Sequence, residues 1–226
     1  KKYLLLNAKK KINEKNLFFF QKLIDERSKG KPISQLTNKK FFWNSEFYIT
    51  EDTLIPRPDT ELIVENVLNL TKNKSKLSIL DIGVGSGCIL LSILQQRRDF
   101  YGTGLDVSKN CVKISNKNAI KLNVHTRLKL FNSNVDKFNF GKYDLIVSNP
   151  PYIKKHSLKY LGRDVAEFEP KLALDGGIDG LSEIRKVISK SSELIKKNGK
   201  FILEIGFDQK NKVIKLLKKK GFYINS

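Results

Sequence analysis

The sequence predicts an α/β fold, a parallel sheet with helices on both faces. Three observations predict it. From residue 77 onward, short apolar runs alternate with helical stretches. The runs are apolar throughout, as in a sheet covered on both sides. The first run ends in a glycine-rich turn that opens a helix, Asp81-Ile82-Gly83-Val84-Gly85-Ser86-Gly87.

At the start of the chain, residues 1–30 read as helix, with Leu17, Phe18, Phe20, Leu23 and Ile24 near a 3.6-residue period. Gly30-Lys31-Pro32 ends it. A stretch of about thirty residues cannot bury a core of its own. Residues 1–40 are therefore expected to be a partial, truncated helical domain. Phe41-Phe42-Trp43 and Phe47-Tyr48-Ile49 flank Asn44-Ser45-Glu46, a hairpin signal that makes 41–50 a linker. Pro56 and Pro58 hold residues 55–58 extended. Asp59 or Thr60 then caps a helix with apolar positions Leu62, Ile63, Val67 and Leu70.

The main domain is expected over residues 51–226. Strands are predicted at Leu77–Ile82, Phe100–Leu105, Thr126–Phe131, Tyr143–Ser148 and Lys200–Ile205. Helices are predicted at Cys88–Gln96, Lys109–Leu122, Leu181–Lys197 and Asp208–Lys220, and Phe222 opens a last strand. One long stretch, 149–180, has no regular pattern, and unstructured loops of that length are usually functional.

Composition narrows the classes. The chain has 226 residues, 40% hydrophobic and 10% aromatic, enough for one good core with a small appendage. No apolar run approaches the ~18–20 residues that span a bilayer. Leu4-Leu5-Leu6 is broken at Asn7, too short for a signal-peptide core of about 7–15 residues. A cytoplasmic protein with no membrane contact is expected. The sequence contains no Met, so a processed or trimmed chain is expected. Net charge is +20, from 43 Lys and Arg against 23 Asp and Glu. Such an excess can hold a polyanion or steer an acidic partner. The lysines are spread over the whole chain, however, together with abundant Asn and Ile, and this reads as composition rather than a dedicated nucleic-acid surface. Cys88 and Cys111 lack CxxC spacing, and His125 and His156 stand alone. Neither a metal site nor a disulfide is expected.

The chemistry concentrates at two turns. At the first, glycines let a ligand approach the backbone, and the helix N-terminus offers free N–H groups. The spacing is G-x-G-x-G, not the dinucleotide G-x-G-x-x-G, and Cys88 follows. Asp81 precedes the first glycine by two residues. A carboxylate there repels a pyrophosphate and suits a cation. No G-x-x-x-x-G-K-[ST] loop is present. The second strand runs into Asp106, placed to accept from two ribose hydroxyls. The site asks for a cationic nucleoside without a pyrophosphate, and S-adenosylmethionine meets that description. Asp81, Gly83, Val84, Gly85, Ser86, Gly87 and Asp106 are its expected contacts.

At the second turn, Asn149-Pro150-Pro151-Tyr152 directly follows the apolar run 143–148. Two prolines end the strand and stiffen the turn beyond it. The side-chain oxygen of Asn149 and the carbonyl of Pro150 are two acceptors on a rigid turn, able to grip a planar NH2 group. A plain strand-ending turn would use the same residue types.

These residues resemble the HemK/PrmC family, the N5-glutamine methyltransferases of peptide chain release factors. The likeness is carried by Ile55-Pro56-Arg57-Pro58-Asp59-Thr60-Glu61 (the family's I-P-R-P-E-T-E), by Ser148-Asn149-Pro150-Pro151-Tyr152, and by Phe168-Glu169-Pro170 through Leu174 with Gly176-Gly177 and Asp179-Gly180-Leu181. Arg27 to Ile33, Glu204-Ile205-Gly206 and Gln209 also fit. The resemblance implies a class I, Rossmann-like S-adenosylmethionine-dependent methyltransferase with an N-terminal substrate-recognition part. It implies a monomer that methylates the Gly-Gly-Gln loop of a release factor and so modulates translation termination, with no stable nucleic-acid complex. Asn149 and Pro150 take the catalytic role, Pro151 and Tyr152 join them at the substrate, and Asn149 also borders the cofactor. The family's S-D-W after strand three is Ser133-Asn134-Val135 here, so Asn134 is carried over as an adenine contact. The family ends with an antiparallel strand seven, and the resemblance leads one to expect that strand to be missing from this chain, which stops at Ser226. Arg57 and Glu169 are candidates to shape the substrate mouth, with a structural clamp on the 149–180 loop as the alternative for Arg57. N-P-P-Y is shared with nucleic-acid amino-methyltransferases, so N6-adenine or N4-cytosine transfer is the alternative. The P-R-P and F-E-P segments favour glutamine.

Overall fold

The computed structural model describes residues 2–224. Two helices, α1 (Lys2–Leu6) and α2 (Glu14–Ser28), stand where one was expected over 1–30. The break has a local cause: the side chain of Asn13 accepts from the Asn16 N–H (2.8 Å), starting α2 afresh. No residue of α2 is buried, and Phe18, Phe19 and Phe20 face solvent. Of the apolar stripe read from the sequence only Leu23 is even half-buried within the described residues. Next come α3 (Ile33–Thr37) and the antiparallel hairpin of β1 (Lys39–Phe42) and β2 (Ser45–Tyr48). Then α4 (Glu61–Leu70) leads into the alternating part.

That part contains β3 (Ser78–Ile82), α5 (Cys88–Gln96), β4 (Tyr101–Asp106), α6 (Lys109–Lys121), β5 (Leu128–Asn132) and β6 (Tyr143–Ser148). It continues with the short α7 (Arg163–Ala166), then α8 (Ser182–Leu194), β7 (Ile195–Leu203) and α9 (Lys210–Lys219). The five strands form one parallel sheet in the order β5-β4-β3-β6-β7. Successive side chains alternate between its faces. Ile79, Leu145 and Val147 pack with the hairpin, α4 and α5 on one side. Leu80, Ile82 and Ile146 pack with Val187 and Leu194 of α8 on the other. Both faces are covered, as the unbroken apolar runs required. The chain starts at β3, winds outward to β5, then returns to the far side of β3 as β6. That reversal leaves a crevice at the carboxyl ends of β3 and β6.

Two departures from expectation exceed a shift of one or two residues. The helix predicted to Lys197 stops at Leu194, because Ile195 pairs with Tyr143 at the sheet edge. Pairing then skips from Tyr143↔Ile195 to Leu145↔Lys200, and the intervening residues bulge outward through Asn198 at φ 64°. Among the described residues no strand forms from Phe222; Phe222 instead packs on Phe201, ring centroids 5.5 Å apart.

Candidate active site

The turn after β3 is shaped by its glycines. Gly83 and Gly85 lie at φ 81° and 54°, in the region other residues avoid. A Cβ at Gly83 would meet nothing within 4 Å and one at Gly85 only the Gly83 carbonyl at 4.0 Å, so their surfaces form an open floor. Gly87 differs: a Cβ there would stand 2.6 Å from Ser115 Oγ and 2.7 Å from Leu91. It is needed for packing, not for ligand approach. Val84 and Ser86 are buried beneath the turn and do not line the cleft.

Asp81 is fully buried, and neither carboxylate oxygen has a hydrogen-bond partner. Burial, then the charge of Asp106, pushes its pKa up to about 7. Asp106 is held by two backbone donors. Gly85 N–H gives to Oδ2 (2.9 Å) and Ser108 N–H to Oδ1 (2.8 Å). Each oxygen keeps a lone pair, and burial raises this pKa too. The cleft above has a volume of about 410 Å³. Gly83, Gly85, Asp106, Asn134, Asn149, Pro150 and Pro151 all border it. The oxygen of Asn134 accepts from Asp136 N–H (3.0 Å), leaving its NH2 group uncommitted. The Glu183–Lys186 pair on α8 also lines this end, a contact the sequence reading missed.

Asn149 sits directly past β6. Ser148 Oγ donates to the Ile82 carbonyl (2.7 Å), tying the end of β6 to the end of β3. The Asn149 NH2 donates to Thr60 Oγ1 (3.1 Å), which leaves its carbonyl oxygen free. Tyr152 does not border this cleft. It faces a neighbouring groove formed by α4 and the end of β7, and its hydroxyl donates to Glu204 Oε1 (3.4 Å). Burial raises the pKa of Glu204, offset by side-chain donors, with Thr60 ahead of Tyr152 and Asn149. Cys111 lines the cleft, but burial pushes its thiol up to about 12, so no thiolate nucleophile is present at neutral pH. Among the described residues, no group of three or more His, Cys, Asp or Glu could hold a metal ion.

Polar clamps hold the long segment 149–180 in place. Glu169 is buried, receives the Ile55 N–H on Oε2 (3.0 Å) and pairs with Arg57 through Oε1. Of the two roles open to Arg57, the structure shows the clamp. Gln35 donates to the Phe168 carbonyl (2.6 Å), docking α3 on the same loop. Gln209 Nε2 bridges the carbonyls of Tyr152 (3.0 Å) and Gly180 (2.9 Å). Asn118 joins the hairpin to the glycine turn by donating to the carbonyls of Tyr48 and Ser86, 2.8 Å each.

Comparison with known proteins decides the family. A model described as methyltransferase small domain matches residues 58–168. A release factor glutamine methyltransferase of Clostridium acetobutylicum is 36% identical over 223 residues, covering 97% of this chain and 78% of that protein. The chain belongs to the release factor glutamine methyltransferase family. It is also 33% identical to a bifunctional methyltransferase of Rickettsia typhi over 99% of its own length, but spans only 47% of that protein. Among solved structures, the ribosomal protein L11 methylase from Lactobacillus delbrueckii subsp. bulgaricus superimposes with a TM-score of 0.56 at 17% identity, over 83% of this chain and 82% of that one. That likeness shows the class I methyltransferase fold. As a family member, the chain offers a site that suits S-adenosylmethionine. Asp81 does not border the cleft but lies buried beneath it, an unpartnered carboxylate at the end of β3, while Gly83 and Gly85 leave the floor open and Asp106 has acceptors to spare.

Proposed function

We propose that this chain methylates the side-chain amide nitrogen, N5, of the glutamine in the Gly-Gly-Gln loop of a peptide chain release factor, and so tunes translation termination. The observation that carries the reading is the free carbonyl oxygen of Asn149 on the wall of the Asp106–Gly85 cleft, beside Pro150. S-adenosylmethionine, when bound, supplies an electrophilic methyl on a sulfonium and leaves as a neutral thioether. The chain's own residues do the rest by positioning. The nitrogen of a primary amide is a weak nucleophile, because its lone pair is delocalised. Asn149 Oδ1 and the Pro150 carbonyl accept its two N–H bonds, turn the lone pair toward the donor and favour pyramidal nitrogen. Orientation of this kind supplies part of the ~7–11 kcal/mol available from fixing two reactants. The same acceptors stabilise positive charge developing on nitrogen. As the N–C bond forms, one amide proton passes to solvent, so no general base is needed.

Asp106 is the ribose acceptor in this reading, Asp81 the buried counter-charge, and Asn134 the adenine contact. Pro151 and Tyr152 shape the turn that the glutamine meets. Residues 1–40 form part of the release-factor-facing domain, 41–50 the linker and 51–226 the transfer domain. The chain is proposed to act as a monomer. We place it in the cytoplasm, beside its substrate; no described helix is long and apolar enough to cross a membrane. The test is incubation with methyl-labelled S-adenosylmethionine and either a bacterial class I release factor or DNA. Label on the release factor glutamine, lost in Asn149→Ala with cofactor affinity retained, is the expected result. Label in DNA alone overturns the proposal.

A further inference from the structure

Adenine shows a protein ring nitrogens that accept and an exocyclic amine that donates. A pocket that recognises it needs a donor and an acceptor, each in its place. Asn134 fills the first role. Its side-chain oxygen is turned to the backbone, where it accepts from the Asp136 N–H (3.0 Å) and opens the turn at residues 135–137. With the oxygen spent on the turn, the NH2 is the arm left for the cleft that Asn134 borders, and an NH2 only donates. The acceptor must come from elsewhere. Five carboxylates border the cleft, on Glu51, Asp52, Asp106, Asp175 and Glu183. Asp106 takes two backbone N–H bonds at the ribose position. Asp52 lies on the α6 side, receiving the Asn110 NH2 (3.0 Å), and Glu51 precedes it. Asp175 takes the Gly177 N–H (2.8 Å) within the 149–180 segment. Glu183 is placed differently. It stands in the first turn of α8, and α8 packs on the 135–137 turn. Val187, one turn further along α8, belongs to an apolar cluster against which Val135 packs. Lys186 Nζ donates to Glu183 Oε1 (2.7 Å), and Oε2 has no partner among the described residues.

We infer that Glu183 is a specificity-determining residue for the base of the cofactor: its free Oε2 accepts the exocyclic N–H of adenine, while the Asn134 NH2 donates to the neighbouring ring nitrogen, N1. One acceptor on α8 and one donor on the packed turn complement the Watson–Crick edge of adenine. An i,i+3 ion pair on a helix surface contributes little stability by itself. At this place it holds the carboxylate against the cleft wall. The same two groups reject hypoxanthine, whose exocyclic oxygen accepts and whose N1 carries a proton. There acceptor meets acceptor at Glu183, and donor meets donor at Asn134. The inference rests on the adenine placement proposed for Asn134, and not on the identity of the methyl acceptor.

The experiment measures binding by calorimetry, with no methyl acceptor present. The ligands are S-adenosylhomocysteine and S-inosylhomocysteine, which differ only along that edge of the base. The proteins are the parent chain, Asn134→Asp, Asn134→Ala, Glu183→Gln and the Asn134→Asp/Glu183→Gln double variant, with melting temperatures to confirm folding. Asn134→Asp keeps an acceptor for the Asp136 N–H, so the turn is retained. The parent should prefer the adenosyl ligand by about 100-fold or more. Glu183→Gln can turn either end of its amide to the base, so the preference should shrink by about tenfold. Asn134→Asp is the deciding variant. It puts a carboxylate where N1 needs a donor, so adenosyl affinity should fall by about tenfold or more. Inosyl affinity should rise, because its N1–H then meets an acceptor. The double variant should prefer the inosyl ligand. Were the Asn134 oxygen to hold the exocyclic amine instead, Asn134→Asp would bind the adenosyl ligand as well as the parent or better. That result, or an unchanged preference in Glu183→Gln, overturns the inference alone. Equal adenosyl affinity in the parent and Asn134→Ala, or a parent that binds neither ligand, overturns the adenine placement together with it. Glutamine transfer is read separately, by release factor labelling, and can fail while the base preference holds.

Discussion

Asp81 shows how one buried group links stability to ligand binding. Its pKa, pushed up to about 7, lies well above that of an aspartate in the unfolded chain. Between those two values the folded protein keeps a proton that the unfolded chain has released. Folding stability must therefore fall as pH rises through that window and level off above about 7. Asp81→Asn removes this slope, so urea midpoints measured from about pH 5 to 8 should be flatter in the variant. Some slope will remain, because Asp106 shifts in the same direction. A cationic ligand favours the ionised Asp81, so the wild type should bind S-adenosylmethionine more tightly at pH 8 than at pH 6, with proton release by calorimetry. Asp81→Asn should lose about tenfold or more in affinity and most of that pH dependence. Equal slopes in the two proteins would show that Asp81 is not the titrating group. At this scale the sequence was readable where chemistry is local. Gly83, Gly85 and Asp106 stand at two strand-ending turns and border the cleft, so types and spacing pointed to its place, whereas Asp81 lies buried beneath it. Thr60 and Asn149 touch across 89 residues and carry no shared pattern, so their partnership had to come from the fold.

At the scale of elements, strands and helices were legible because apolar periodicity reports burial directly. Two segments depart from that rule. The Lys-rich stretch directly after α8 looks helical in isolation, but pairing of Ile195 with Tyr143 overrides that local preference. The segment 149–180 had no period to read, since side-chain clamps order it in place of a ladder. Its main clamp makes a prediction. Glu169 is 1% exposed in its side chain, whereas Arg57 is 38% exposed. Removing Arg57 leaves a buried carboxylate with the Ile55 N–H as its remaining donor. Arg57→Ala should cost about 1–3 kcal/mol, the range for an under-satisfied buried polar group. Glu169→Gln should cost less, because its amide still accepts from Ile55. Hydrogen exchange should localise the loosening in Arg57→Ala to residues 163–175, with the sheet unaffected. Global exchange in place of local would mean that the clamp supports the core, not the loop.

At the scale of the molecule, charge is what motifs cannot explain. A surplus of +20 on 226 residues creates a positive field that reaches beyond any one contact. The lysines of α9 and those at 72–76 lie far apart in sequence, and the cleft itself is acidic, bordered by Glu51, Asp52, Asp106 and Asp175. The field cannot therefore assist the chemical step. It can act only on encounter with an acidic partner surface, and encounter between exposed charges is screened over a Debye length of about 10 Å at 0.1 M salt. Salt should accordingly separate encounter from chemistry. Raising it from about 50 to 300 mM should lower kcat/KM for a release factor several-fold while leaving kcat nearly constant. A short glutamine-bearing peptide of zero net charge should show no such dependence, because it offers the field nothing to pull on. If kcat/KM for the intact release factor is equally indifferent to salt, the lysines reflect composition alone, and recognition rests on the surfaces around Asn149 and the helices of residues 1–40.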